Sequence, residues 1–201
     1  MTDQKIKKLV IAALLTAMTC IATMIIKIPT PTFGYIHLGD GFVLLCGIIL
    51  GPGAGALSAG IGSMFSDIFS GYVSWAPATF LIKALTAASA GLLFRRTARR
   101  TAKISSSVNR FAGVIIGGIV GEAIMVLGYF LYEASLAAFG SGSFTKASLA
   151  AGIVSSATGI PFNVVQGVSG IIIAALLLPI LCNITEIRVW MNNTTGKESR
   201  T

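Results

Sequence analysis

Seven carboxylates occur in the 201 residues, and Asp40, Asp67, Glu122 and Glu133 fall within or beside strongly apolar stretches, whereas Asp3, Glu186 and Glu198 lie in the tails. An ionisable side chain in lipid costs a few kcal/mol even on lenient insertion scales, so each must face a cavity or a partner. At about 100° per residue, Tyr129 and Glu133 share the helical face of Glu122, giving a polar stripe about 16 Å long. Such a stripe suits a pocket that opens at one membrane surface. Glu122 held structurally between helices, and Glu133 as an interface residue, are readings the pattern equally permits.

Asn163 and Gln166, at i and i+3, share a face of the last apolar stretch. Amides both donate and accept, which suits a ring bearing nitrogen and hydroxyl groups; interhelical hydrogen bonding is the plainer alternative. Lys83 lies one turn inside the fourth apolar stretch and Asp67 near the outer end of the third, a placement that suits an ion pair. His37 with Asp40, and Tyr72 with Trp75, flank the same region and could serve as interface anchors or as ligand contacts.

The elements that position these groups are set by composition. Hydrophobic residues make up 54% of the chain and charged residues only 11%, with a mean hydropathy of +0.85, whereas soluble domains carry about a quarter charged residues. The expectation is a single all-α integral membrane domain over residues 1–201, with residues 183–201 a polar cytoplasmic tail. Spans are expected at Leu9 to Ile26, Leu38 to Leu50, Ala54 to Phe69, Thr79 to Phe94, Phe111 to Ser135 and Gly159 to Leu181, about six in all. The second to fourth are short for a bilayer, so they must extend, tilt or sit against protein.

The net charge of +8 follows topology rather than nucleic acid. Of the 15 Lys and Arg residues, only Lys27 and Lys146 fall in the expected outer connections and Lys83 within a helix. The others, among them Lys5, Arg95, Arg96, Arg99, Arg100, Lys103, Arg110, Arg188, Lys197 and Arg200, place both termini and the 95–110 connector in the cytoplasm. The outer connections are then Lys27 to His37, Ser70 to Ala78 and Leu136 to Thr158. Phe33 and Tyr35 in the first suit a lid. Gly140 to Ser143 in the third precede a short helix expected at Ala147 to Ala151. Cys20, Cys46 and Cys182 lack pairing or metal-ligand spacing and read as packing residues. No metal, cofactor or catalytic residue is expected: His37 is the sole histidine, and neither a GxSxG elbow nor a GxxxxGK[ST] phosphate loop occurs.

In order and spacing, Ala13 and Ala17, Ile36-His37-Leu38-Gly39-Asp40, Pro77 through Lys83, Gly121-Glu122-Ala123-Ile124-Met125 with Gly128-Tyr129-Phe130, and Pro161-Phe162-Asn163 with Gln166 and Gly170 resemble the S components of energy-coupling factor (ECF) transporters. The resemblance covers most of the chain, and it is nearest the subgroup associated with riboflavin, hydroxymethylpyrimidine and pyridoxine-like substrates. It implies a non-enzymatic vitamin-binding subunit in the bacterial plasma membrane. It also implies docking of Ala13 and Ala17 on a membrane-embedded T component, two cytoplasmic ATPases that supply energy, and toppling that turns the pocket inward. Pyridoxine or hydroxymethylpyrimidine suits the polar residues best, riboflavin next. The substrate contacts expected are Glu122, Tyr129, Glu133, Asn163, Gln166, Lys83, Asp67, His37, Asp40 and Trp75. A self-sufficient secondary transporter is the alternative, although the two halves show no internal repeat of the kind such folds carry.

Overall fold

Apolar runs bounded by Gly, Pro and charged residues become helices, in the order set by the chain. The computed structural model describes residues 3–30, 35–100, 106–140 and 145–195. Helix α1, Asp3–Ile25, leads into an antiparallel hairpin of β1, Lys27–Pro29, and β2, Tyr35–His37. Helices α2 (Asp40–Leu50), α3 (Pro52–Phe69), α4 (Ala76–Arg100), α5 (Ser106–Gly140), α6 (Lys146–Ala157), α7 (Ile160–Leu181) and α8 (Thr185–Thr195) follow. Phe33, Ser141, Ser143, Lys103, Lys197, Glu198 and Arg200 lie outside the described residues.

Among the described residues, four helical segments are long and apolar enough to cross a membrane: Lys5–Ile25, Ala76–Ala98, Arg110–Gly140 and Ile160–Leu181. Their outward faces carry large apolar side chains such as Leu14, Leu81, Leu127, Leu131 and Leu176, each more than half exposed, a surface suited to lipid and untenable for a soluble monomer. Helix α2 has only 11 residues, about 16 Å of rise against a hydrocarbon layer of about 30 Å. It is enclosed by protein: every residue from Asp40 to Leu50 except Phe42 is buried, with α1, α3, α4 and α7 packed around it.

Lipid tails are as apolar as leucine, so burial alone does little to hold such helices together and close backbone packing matters more. Gly47 of α2 provides it, since a Cβ there would collide with the Ala87 carbonyl of α4. Gly51, at φ 86°, ends α2 in a conformation that other residues adopt at a cost. Pro52 then opens α3 at a position where its missing N–H does no harm. Val43, Leu44, Ile48, Phe94 and Val114 form the main core, and Ile82, Met125 and Tyr129 a smaller one nearer the site.

The structure departs from the sequence reading in four places. The helical fold class stands, and the first outer connection adds a short β1–β2 hairpin to it. Much of the basic 95–110 connector is helix, with Arg95, Arg96, Arg99 and Arg100 on α4 and Arg110 on α5. The third outer connection is largely helical too. There α5 runs on to Gly140 and α6 is longer than Ala147 to Ala151, opened by a capping box in which the Ser148 N–H donates to Thr145 Oγ1 at 3.1 Å. Finally, the 183–201 tail contains α8, whose Ile187 and Met191 are buried in the main core; their i, i+4 spacing gives a narrow buried stripe.

Candidate ligand-binding site

The expected polar residues divide into a sealed network and a lined hollow. In the network, Lys83 Nζ of α4 meets Asp40 Oδ1 of α2 at 2.5 Å, and both side chains are fully buried. Gln166 Nε2 of α7 donates to Asp40 Oδ2 at 2.7 Å, while its Oε1 accepts from the His37 backbone N–H at 2.9 Å. One amide thus ties the hairpin, α2 and α7 together. Glu122 of α5 lies beside Asp40 in this layer, its oxygens without a partner at hydrogen-bonding geometry. A Cβ on Gly167 would come 2.9 Å from Glu122 Cβ and one on Gly170 2.8 Å from Asp40 Cβ, so these glycines leave the space that both acids occupy.

The expected Lys83–Asp67 pair is therefore corrected. Lys83 is bound to Asp40, and Asp67 Oδ1 instead accepts from Tyr35 Oη at 2.7 Å. Asp40 begins α2 directly beside α4, so it reaches the ammonium at bonding distance while Asp67 turns toward the hairpin.

Above the network, Thr30, Tyr35, His37, Asp67, Trp75, Thr79, Tyr129, Glu133 and Asn163 line a hollow between the hairpin and α3, α4, α5 and α7. The hollow has a volume of only about 20 Å³, room for about one water. Trp75 and Glu133 also border a second cavity of about 320 Å³, completed by Ser74, Leu136, Ala137, Ser155 and Ser156 beside α6. Trp75 and Tyr129 lie 6.2 Å apart between centroids, and Tyr132 meets Trp75 edge-on at 5.3 Å, distances suited to aromatic contact. Tyr129 Oη donates to Thr79 Oγ1 at 3.3 Å, and Lys83 Nζ lies 5.2 Å from the Tyr129 ring centroid.

The hairpin is pinned over this hollow. Tyr35 holds Asp67, its ring lies 4.8 Å from that of Tyr72, and Lys27 bonds to Ser70. Burial and the neighbouring Asp67 carboxylate push the Tyr35 phenol up, so it remains a donor. His37 Nδ1 accepts from the Gly39 N–H at 3.0 Å, which requires the neutral ring. Burial, then the Lys83 charge, lowers the His37 pKa to about 3.

Of the expected contacts, Tyr129, Glu133, Asn163, Asp67, His37 and Trp75 border the hollow, whereas Lys83, Asp40, Gln166 and Glu122 lie in the layer beneath it. Sequence reasoning missed Thr30, Thr79, Ser155 and Ser156. Thr79 stands four residues before Lys83 on the same face of α4, a usable signal. The two serines sit in a run of small residues that conveys little. Among the described residues, no group of three or more His, Cys, Asp and Glu side chains could hold a metal ion.

The protein is thus a helical membrane bundle with a polar, aromatic-walled hollow at one end. The family model for the ECF-type riboflavin transporter S component matches residues 3–183, and the chain belongs to that family: it is a transmembrane S component of a vitamin uptake system, and the family is one of transporter subunits rather than enzymes. A solved S component of a bacterial ECF transporter shares the fold, with a TM-score of 0.61 and 22% identity, over 90% of this chain and 98% of that one. A protein of Pyrococcus woesei, described as an uncharacterized protein in gap 3'region, is 31% identical over 110 residues, which are 54% of this chain and 66% of that relative.

Proposed function

We propose that the chain captures a flat heteroaromatic vitamin at the outer end of its helices and delivers it inward as part of an ATP-driven importer. One observation carries this reading: a polar hollow walled by Trp75 and Tyr129 adjoins a cavity of about 320 Å³ across Trp75 and Glu133. A shift of Trp75 joins the two into a space of the usual ligand-pocket size. The ring then stacks on Trp75 and Tyr129 while Asn163, Glu133 and Thr79 address its polar edge. Glu122, Gln166, Asp40 and Lys83 hold the floor, and His37, Asp67 and Tyr35 the lid. The family description favours riboflavin as the first ligand to test, with pyridoxine and hydroxymethylpyrimidine the smaller candidates.

About six crossings place both termini and the basic end in the cytoplasm of a bacterial plasma membrane, with α2 and α3 as short spans. Ala13 and Ala17 are exposed on α1, and that stripe docks on the T component, which joins the chain to two ATPases and allows it to topple. The test is equilibrium titration of the detergent-solubilised protein with riboflavin, pyridoxine and hydroxymethylpyrimidine, together with mass spectrometry of the co-purifying molecule. Asn163→Ala weakens binding at least about tenfold, the loss of roughly one buried hydrogen bond. Unaltered affinity in both Asn163→Ala and Glu122→Ala removes the site assignment. Uptake that persists without the ATPases makes the chain a secondary transporter.

A further inference from the structure

The opposite end of the bundle contains a cleft unrelated to vitamin capture. It lies between the start of α5 and the end of α7, has a volume of about 310 Å³, and its floor is apolar, with Val114 and Leu178 buried and Phe111 at its edge 58% exposed. Arg110 of α5 and Arg188 of α8 border it, with the Asn183 amide beside them. Pro179 lies inside α7 there and has no N–H to offer the carbonyl of Ala175, a residue that also lines the cleft. Two arginines and an amide side chain thus stand around an apolar slot at the basic end of the bundle.

We infer that this cleft binds an anionic phospholipid, the phosphate held between Arg110 and Arg188 and one acyl chain laid against Phe111 and Leu178. Guanidinium forks match phosphate oxygens in charge and geometry, and basic pockets between helices at the cytoplasmic surface suit acidic headgroups. A free phosphate leaves the apolar floor unused, and a zwitterionic lipid brings an ammonium to a basic rim. A glycerol headgroup fits best because it adds no positive charge to the basic rim and its hydroxyls can bond to the Asn183 amide.

The test is native mass spectrometry of the delipidated full chain with phosphatidylglycerol, phosphatidylcholine of the same acyl chains, or inorganic phosphate, paired with thermal unfolding under each condition. Wild type retains phosphatidylglycerol at least tenfold more tightly than phosphatidylcholine and is stabilised by it, while phosphate alone has no effect. Arg110→Ala with Arg188→Ala removes the preference, and the corresponding double lysine variant keeps part of it. Equal retention of both lipids, full stabilisation by phosphate alone, or undiminished preference in a folded double alanine variant overturns the assignment. If the double alanine variant does not fold, the wild-type comparison decides the question by itself.

Discussion

At the scale of single residues, the Lys83–Asp40 pair makes the firmest demands. Both side chains are fully buried, and Asp40 also accepts from the Gln166 amide. Removing one member strands the other charge away from water, so Lys83→Met should cost about 3–5 kcal/mol. Thermal unfolding in detergent measures this, and Lys83→Met with Asp40→Leu should recover much of the loss. His37 makes a different demand. Its pKa falls from 6.5 to about 3 in the folded chain, so the unfolded chain binds more protons between those values. The stability it contributes is complete above pH 6.5 and is lost as pH falls, by about 1.4 kcal/mol per unit. Unfolding midpoints from pH 7 to pH 4 check the sign, and His37→Gln should flatten that part of the profile.

At the scale of elements, the hairpin closes over a hollow with room for only about 20 Å³, so under the proposed reading ligand enters as the hairpin lifts and Trp75 shifts. The Tyr35–Asp67 bond and the Lys27–Ser70 contact latch it shut. Tyr35→Phe should speed ligand release about tenfold, the effect of roughly 1.4 kcal/mol, with a smaller change in association rate; stopped-flow fluorescence with riboflavin separates the two. Little of this latch was legible in the sequence. Helices α1, α4, α5 and α7 could be read from long apolar runs, and the shared faces of Asn163 with Gln166 and of Tyr129 with Glu133 from spacing. The partner of Lys83 could not be so read, because Asp40 and Asp67 both lie near helix ends and only the α2–α4 crossing at Gly47 decides between them. Helix α8 was hidden for a related reason: among the described residues, Ile187 and Met191 mark its buried side.

At the scale of the whole molecule, the proposed reading puts ligand capture and engagement of the energising module on different surfaces. Ala13 and Ala17 are exposed on α1, outside the lining of the hollow. Ala13→Trp should leave vitamin affinity within about twofold and abolish uptake by membrane vesicles that contain the full importer. A variant that transports normally would place the docking surface elsewhere.

The sheathed position of α2 also bears on biogenesis. As the chain leaves the ribosome, an 11-residue helix emerges too short to be stable alone in a bilayer, with Asp40 at its head. The counter-charge arrives only 43 residues later, on α4, and the Gln166 amide 126 residues after Asp40. Until then α2 lacks both partners, so a nascent chain arrested before α4 should be far more open to proteolysis than one arrested after α7.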